Sequence, residues 1–268
     1  MQGPHLFASN RCSNCPSRDF GPCRAAGAAT LRTMAAISSP AIHEAGDTII
    51  AQGETVHHVG IVRSGVVKIT NTTADGRHMV IGLIEEGRLV GNIFDQTSRF
   101  GYECATKASI CLIPRQSFIN LAHQDGDFSC GVLETAQRQA EEIQEWLTLF
   151  NCRTTLQRLA GYLFALMTRR QGAMPAGEPV ALEIPVSRKD LAPYLGTTTE
   201  TLSRNMQQLA RRGIIRVVDG RHVVIVDSKR LSGMAASIGD ELQSLTHGRP
   251  VTAPIAVSGK PPAPLHAA

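Results

Sequence analysis

The sequence predicts an α+β chain: an antiparallel β-barrel or roll, then a long amphipathic helix, then a winged helix-turn-helix. Three observations carry that reading. Residues 40–122 are short β-prone runs between evenly spaced turns, residues 129–170 replace those turns with a three-and-four hydrophobic repeat, and residues 186–226 read as two short helices followed by a hairpin.

The turns of the first region fall at Gly46-Asp47, Gly53-Glu54, Ser64-Gly65, Asp75-Gly76 and Glu86-Gly87, with GIVRSGVVKI and MVIGLI between them. Such even spacing of apolar runs is the pattern of a closed or rolled antiparallel sheet. In the second region Leu133, Ala136, Ala140, Ile143, Leu147 and Phe150 recur at steps of three and four, while Glu134, Arg138, Glu141, Glu142 and Glu145 fall between them. This narrow seam suits either a partner helix or the chain's own barrel. In the third, Ser187 followed by Asp190 opens a helix that Gly196 closes. Thr198 or Thr199 caps a second helix running to Gly213, and IIRVVDGRHVVIV supplies a hairpin around Asp219-Gly220. Pro193 inside the first of these helices predicts a kink or an early end.

These readings divide the chain into a cysteine-bearing arm (1–28), a roll (29–128), a long helix (129–170), a winged helix-turn-helix (171–228) and a C-terminal segment (229–268). From about Lys229 onward the residues are rich in Pro, Ala, Gly and Ser without periodicity, which reads as a mobile tail.

At 268 residues the chain is long enough for two domains, and 43% hydrophobic residues suffice for real cores. No stretch approaches the roughly 20 apolar residues of a membrane span. The first twenty residues lack the apolar run of a signal peptide, and seven cysteines are an odd number, so the expected compartment is the reducing cytoplasm. A net charge of +4 is mild, so any case for nucleic-acid binding rests on where the charges lie.

They lie around the second helix of the helix-turn-helix. Thr199, Glu200, Ser203 and Arg204 share the face nearest its N-terminus, and Arg188, Lys189, Arg211, Arg212, Arg216 and Arg221 surround it. Glu accepts from a cytosine amino group, Arg donates twice to guanine, and Ser serves either. Ser187 and Arg188 open the preceding helix beside the same surface. Double-stranded DNA is the expected partner. One such module reads one half-site, so the 133–150 seam is assigned to a homodimer that reads an inverted repeat. An enzyme reading finds no support, because His43, His57, His58 and His78 have neither ligand nor triad spacing.

The arm, RCSNCPSRDFGPCRAAG, sets Cys12, Cys15 and Cys23 close together, with Arg11, Arg18 and Arg24 beside them. On residue type alone the thiols suit an iron-sulfur cluster, structural zinc or oxidation to disulfides. Cys130 and Cys152, on the long helix, read as small buried hydrophobes.

Residues 10–228 together resemble the CRP/FNR superfamily, named for the cyclic-AMP receptor protein and the fumarate-and-nitrate-reduction regulator. Its members have an N-terminal cyclic-nucleotide-binding-like β-roll, a long dimerisation helix and a C-terminal winged helix-turn-helix. ETLSR, residues 200–204, is similar to the E-x-x-S-R of the oxygen-responsive branch, whose members read TTGAT and its inverted repeat ATCAA. The resemblance implies Glu200, Ser203 and Arg204 as base readers and contact with RNA polymerase. It also implies a [4Fe-4S] cluster, with zinc as the alternative, held by Cys12, Cys15, Cys23 and a fourth cysteine of the roll. Both Cys104 and Cys111 are available; CLIP, residues 111–114, matches the family's placement and favours Cys111. The superfamily's cyclic-nucleotide pocket uses a Gly-Glu and an Arg-Ser pair. Here Gly91 is followed by Asn92 and Arg99 by Phe100, which argues against that ligand.

Overall fold

The computed structural model describes residues 11–12, 14–150, 154–171 and 178–235. Eight strands build the roll: β1 (Ser39–His43), β2 (Thr48–Ile50), β3 (His58–Ser64), β4 (Val67–Thr72), β5 (His78–Ile84), β6 (Leu89–Val90), β7 (Gly101–Cys104) and β8 (Ala108–Pro114). They form two antiparallel four-stranded sheets, ordered β1-β8-β3-β6 and β2-β7-β4-β5. The turns expected at residues 46–47, 64–65, 75–76 and 86–87 each separate consecutive strands.

The alternation of β3 and β8 explains why the roll carries two cores. Val62, Val67, Ile84, Val90, Cys104 and Ile110 fill the space between the sheets. Val59, Ile61 and Ile113 point the other way, onto Met34, Phe118, Leu121 and Phe128. Those last four come from three helices: α1 (Ala28–Ile37), α2 (Arg115–Gln124) and α3 (Gly126–Phe150). Phe118 and Phe128 meet edge to face, with ring centroids 5.3 Å apart, and both are fully buried. Each side chain of this size contributes about 1.5–3 kcal/mol by leaving water.

The sequence reading of one helix over 129–170 needs correction. The first helix starts at Gly126, and a second, α4 (Thr155–Gln171), follows it. Thr154 begins α4 with a reciprocal cap: its Oγ1 accepts from Gln157 N at 3.2 Å, and its own N–H donates to Gln157 Oε1 at 3.1 Å. A capping box starts a new helix rather than continuing an old one. Leu159, Leu163 and Leu166 of α4 are then buried with the helix-turn-helix and wing elements.

Those elements are β9 (Val180–Glu183), α5 (Arg188–Tyr194), α6 (Thr199–Arg211), β10 (Ile215–Val217), β11 (His222–Ile225) and α7 (Ser228–Ala235). The wing is a three-stranded antiparallel sheet ordered β10-β11-β9, one strand more than the expected hairpin. Helix α5 runs through Pro193 and ends at Tyr194, two residues before Gly196, whose φ of +62° cannot continue a helix. The expected tail does not begin at Lys229, because α7 packs against α4 with Leu231 fully buried. Residues 236–268 lie outside the described residues. No described helix is long and apolar enough to cross a membrane.

Candidate metal centre and nucleic-acid interface

The arm reaches the roll through two 3₁₀ turns, Pro16–Asp19 and Gly21–Arg24, each with a proline in its first two positions. Pro presets the φ of such a position and its missing N–H costs nothing there. Ser17 is buried and its Oγ lies 3.2 Å from the carbonyl oxygens of both Val62 and Arg63 on β3. Gly21 has φ +63°, and a Cβ there would sit 1.9 Å from Gly87 O, so backbone meets backbone. Pro22 and Ala25 also lie close to α3 at Gly131, where a Cβ would meet Pro22 O and Ala25 Cβ at 2.9 Å. Arg24 extends the contact to Glu134 of α3 at 3.0 Å.

This docking brings together Cys12, Cys15, Cys23 and Cys111. Cys12, Cys15 and Cys111 line a cavity of about 370 Å³ with Arg11, Asn14, Ser38, Pro40 and Arg63. Burial, more than anything else, pushes the Cys23 thiol up to about 12, and the Cys111, Cys12 and Cys15 sulfurs add to the rise. Cys12 is raised by burial and then by Cys111 and Cys15, against the opposing pull of Arg11 and Arg63. Cys111 is raised by burial, with a hydrogen bond involving Ser38 opposing. Cys23 thus feels the other three sulfurs, and Cys12 and Cys111 each feel Cys15.

Cys104 is elsewhere, in the core between the sheets, where burial and then Asp47 and Glu103 raise it to about 11. Of the arginines expected beside the thiols, Arg11 and Arg18 are there, Arg18 donating to Cys23 O at 2.6 Å. Arg24 is turned to Glu134 instead. Arg63 of β3 takes a place that spacing could not reveal. Cys130 is exposed, not buried, because α3 buries Phe128 and Thr135 and turns Gly131 to the docked arm, leaving residue 130 on the opposite face. Cys152 lies outside the described residues.

Four thiols suit either a cubane cluster or zinc. Among the described residues, no group of three or more His, Cys, Asp or Glu side chains is placed to hold a single metal ion. A single zinc needs its sulfurs about 2.3 Å from one point.

Helix α3 carries the seam on the face turned from the roll: Ala136 and Ala140 are exposed, as are Leu133 at 69%, Ile143 at 45% and Leu147 at 51%. The Phe150 side chain lies outside the described residues. The opposite face is tied down by Gln139, whose amide bonds Leu89 N and O at 3.2 and 3.1 Å, and by Glu142, paired with Arg88 at 2.5 Å.

In α6, Leu202, Asn205, Met206 and Leu209 are buried while Thr199, Glu200 and Arg204 are exposed and Ser203 is half-buried. Thr198 caps the helix by accepting from Thr201 N at 3.2 Å. Glu200 and Arg204 pair with one another one turn apart, which holds both on the outward face. Ser187 spends its hydroxyl on the α5 cap, bonded to Asp190 N and Oδ2. Arg188 reaches back to the wing, where its guanidinium lies 3.4 Å from Asp219 O. The wing turn is closed by Asp219 Oδ1, which accepts from Arg221 N and His222 N at 2.8 Å each; these bonds hold its carboxyl down at about 2. In the loop expected to face a nucleotide, Arg99 is exposed and lies 3.8 Å from Asp95. Asn92 Oδ1 accepts from the backbone of Phe94 and Asp95.

A roll with an appended winged reading head defines a class of effector-controlled DNA-binding regulators. Residues 42–125 match the model of the cyclic nucleotide-binding domain and residues 157–234 that of the Crp-like helix-turn-helix domain. The transcriptional activator protein FnrL of Cereibacter sphaeroides is 30% identical over 234 residues, covering 86% of this chain and 94% of that protein. The nitrogen fixation regulation protein FixK of Azorhizobium caulinodans is 27% identical over 227 residues, covering 85% and 90%. The solved structure of FixK2 from Bradyrhizobium japonicum superimposes with a TM-score of 0.64 at 25% identity, over 74% of this chain and 97% of that one. The chain belongs to the CRP/FNR family. It is a DNA-binding transcription regulator of the FNR/FixK type, and its relatives are regulators, not enzymes.

Proposed function

We propose that the protein is an oxygen-responsive transcription activator that works in the cytoplasm as a homodimer. It carries a [4Fe-4S] cluster on Cys12, Cys15, Cys23 and Cys111 and reads a TTGAT/ATCAA inverted repeat. The observation that carries the proposal is the docking that brings Cys12, Cys15 and Cys23 of the arm to Cys111 of the roll, with Cys12, Cys15 and Cys111 lining one cavity. When bound, such a cluster supplies a centre that oxygen converts or destroys.

The chain's own residues supply the rest. Arg11 and Arg63 favour the thiolate forms of Cys12 and Cys111. The ligated arm holds Pro22 and Ala25 against Gly131, and Arg24 against Glu134, on the helix that bears the Leu133–Leu147 seam. Release of the arm removes those contacts from α3 and shifts it away from the paired state, a population shift between two arrangements. Pairing through the seam sets two α6 helices against two half-sites, with Glu200, Ser203 and Arg204 on the bases. Contact with RNA polymerase is part of the same reading, and a cyclic nucleotide is not.

Protein purified without oxygen tests the proposal by its visible spectrum and its iron and sulfide content. A brown protein with about four irons and four sulfides per chain that bleaches in air is expected. A colourless protein with one zinc would remove iron-based oxygen sensing and keep a DNA-binding regulator with a zinc arm. Cys111→Ala abolishes oxygen-dependent DNA binding, whereas Cys104→Ala leaves it intact.

A further inference from the structure

Lys68 is a lysine in the wrong place for a surface strand. It sits on β4 on the face opposite Val67, turned away from the core between the sheets, yet its side chain is only 10% exposed because α5 covers it. Two carboxylates compensate it. Glu103, its cross-strand partner on β7, lies 2.7 Å from Nζ, and Asp190 of α5 lies 2.8 Å away. The first belongs to the roll and the second to the DNA-reading head, 122 residues further along the chain.

Asp190 has a second task, since its Oδ2 accepts from the hydroxyl of Ser187 at 2.6 Å at the start of α5. The first turn of the helix-turn-helix is therefore bonded to the roll through the same side chain that closes its cap. Apolar contact surrounds the ion pair: Val66 and Ala105 of the roll are buried in one core with Leu191, Ala192 and Leu195. Tyr194 stacks at 5.1 Å on Trp146 of α3 and meets Tyr162 of α4 edge-on at 6.1 Å. Lysine buried between two carboxylates contributes direction more than stability, because desolvation offsets much of the attraction.

We propose that this Lys68–Glu103–Asp190 clasp is a specificity-determining element: by fixing the pose of each reading head on its roll, it sets the spacer length between half-sites that the dimer accepts. The inference rests on the dimeric DNA-reading function above. One added base pair moves a half-site by about 3.4 Å and turns it by about 34°. A head bonded to the roll cannot follow that shift, whereas a released head can. Removal of the Lys68 charge leaves Glu103 and Asp190 facing each other, which drives the head off the roll.

The test uses the full chain purified without oxygen, titrated onto labelled duplexes that carry the inverted repeat with its preferred spacer or with one base pair added or removed. The native protein loses on the order of 50-fold in affinity on the altered spacers. In Lys68→Met that penalty falls to roughly 5-fold, while the penalty for a base substitution inside a half-site is unchanged. Lys68→Arg, which keeps the charge, retains the native discrimination. An undiminished spacer penalty in a folded Lys68→Met protein overturns the proposal. If Lys68→Met does not fold, Lys68→Gln is read in the same way, and failure of both to fold also overturns it, since the clasp would then be a requirement of folding. A native chain that binds no inverted repeat at all refutes the DNA-reading function itself, an outcome distinct from a lost clasp.

Discussion

Gly21→Ala separates docking of the arm from stability of the roll. The substitution meets two costs at one position. A non-glycine residue at φ +63° is disfavoured by about 1–2 kcal/mol. The added methyl would also lie 1.9 Å from Gly87 O, so the arm must move by about 1 Å or more to restore ordinary contact. Such a shift breaks the buried hydrogen bonding of Ser17 Oγ to Val62 O and Arg63 O, worth about 1 kcal/mol or more. Together these disfavour the docked arm by roughly 3 kcal/mol, a factor of about 100 in the docking equilibrium. The residues affected contribute little to the core between the sheets. In metal-free, reduced protein the thiols of Cys12 and Cys23 should therefore be alkylated about 100-fold faster than in the native chain, as read by mass spectrometry of quenched samples. The main thermal transition should move by only a few degrees. Native alkylation rates in Gly21→Ala would refute the argument that backbone contact at Gly21 and Gly87 holds the arm in place.

Two further outcomes follow from the geometry. Arg204→Ala should weaken binding to the inverted repeat by roughly 10- to 100-fold per half-site and relax the preference at one base position, measured by titration against single-base variants. Asp125 joins two helix starts: it accepts from Thr30 Oγ1 at 2.5 Å and Gly27 N at 3.2 Å, and from Phe128 N at 3.0 Å. The hydrogen bond from Thr30, then that from Phe128, hold its pKa below the ordinary carboxylate value. Its folded pKa is thus depressed, so its stabilisation is fully present above the unfolded carboxylate pKa and is lost as pH falls through the lower folded one. The stability difference between native and Asp125→Asn proteins in urea should accordingly be constant near neutrality and shrink only in acid.

Local chemistry was legible in the sequence wherever one stretch of chain decides the outcome. The turns of the roll, the α5 cap at Ser187 and the outward face of α6 follow from neighbouring residues. Contacts made across the fold left no such trace. Arg63 and Lys68 lie on consecutive strands that belong to different sheets, and serve opposite ends of the molecule: one faces the thiols, the other the reading head. Which side of a strand meets which partner is set by sheet pairing, and composition is silent on it. Two signals were legible and passed over. Thr154 and Gln157 have capping-box spacing within the helix read as continuous, and Val180–Glu183 alternates buried and exposed between two prolines as a short third strand of the wing. Cys130 was misplaced because a seam fixes which residues share one helix face and does not say how that face is oriented to the roll.

The close fit of Pro22 and Ala25 on Gly131 also has a consequence in time. The surface that receives the arm is encoded about a hundred residues after it. At about 5–20 residues per second, the 88 residues from Arg24 through Cys111 take roughly 4–18 s to synthesise, and the start of α3 takes a little longer. Throughout that interval the arm thiols have neither their fourth companion nor the helix that covers them. On the growing chain they stand in water, open to delivered metal and to oxidants alike, and the shelter described above is assembled around them afterwards.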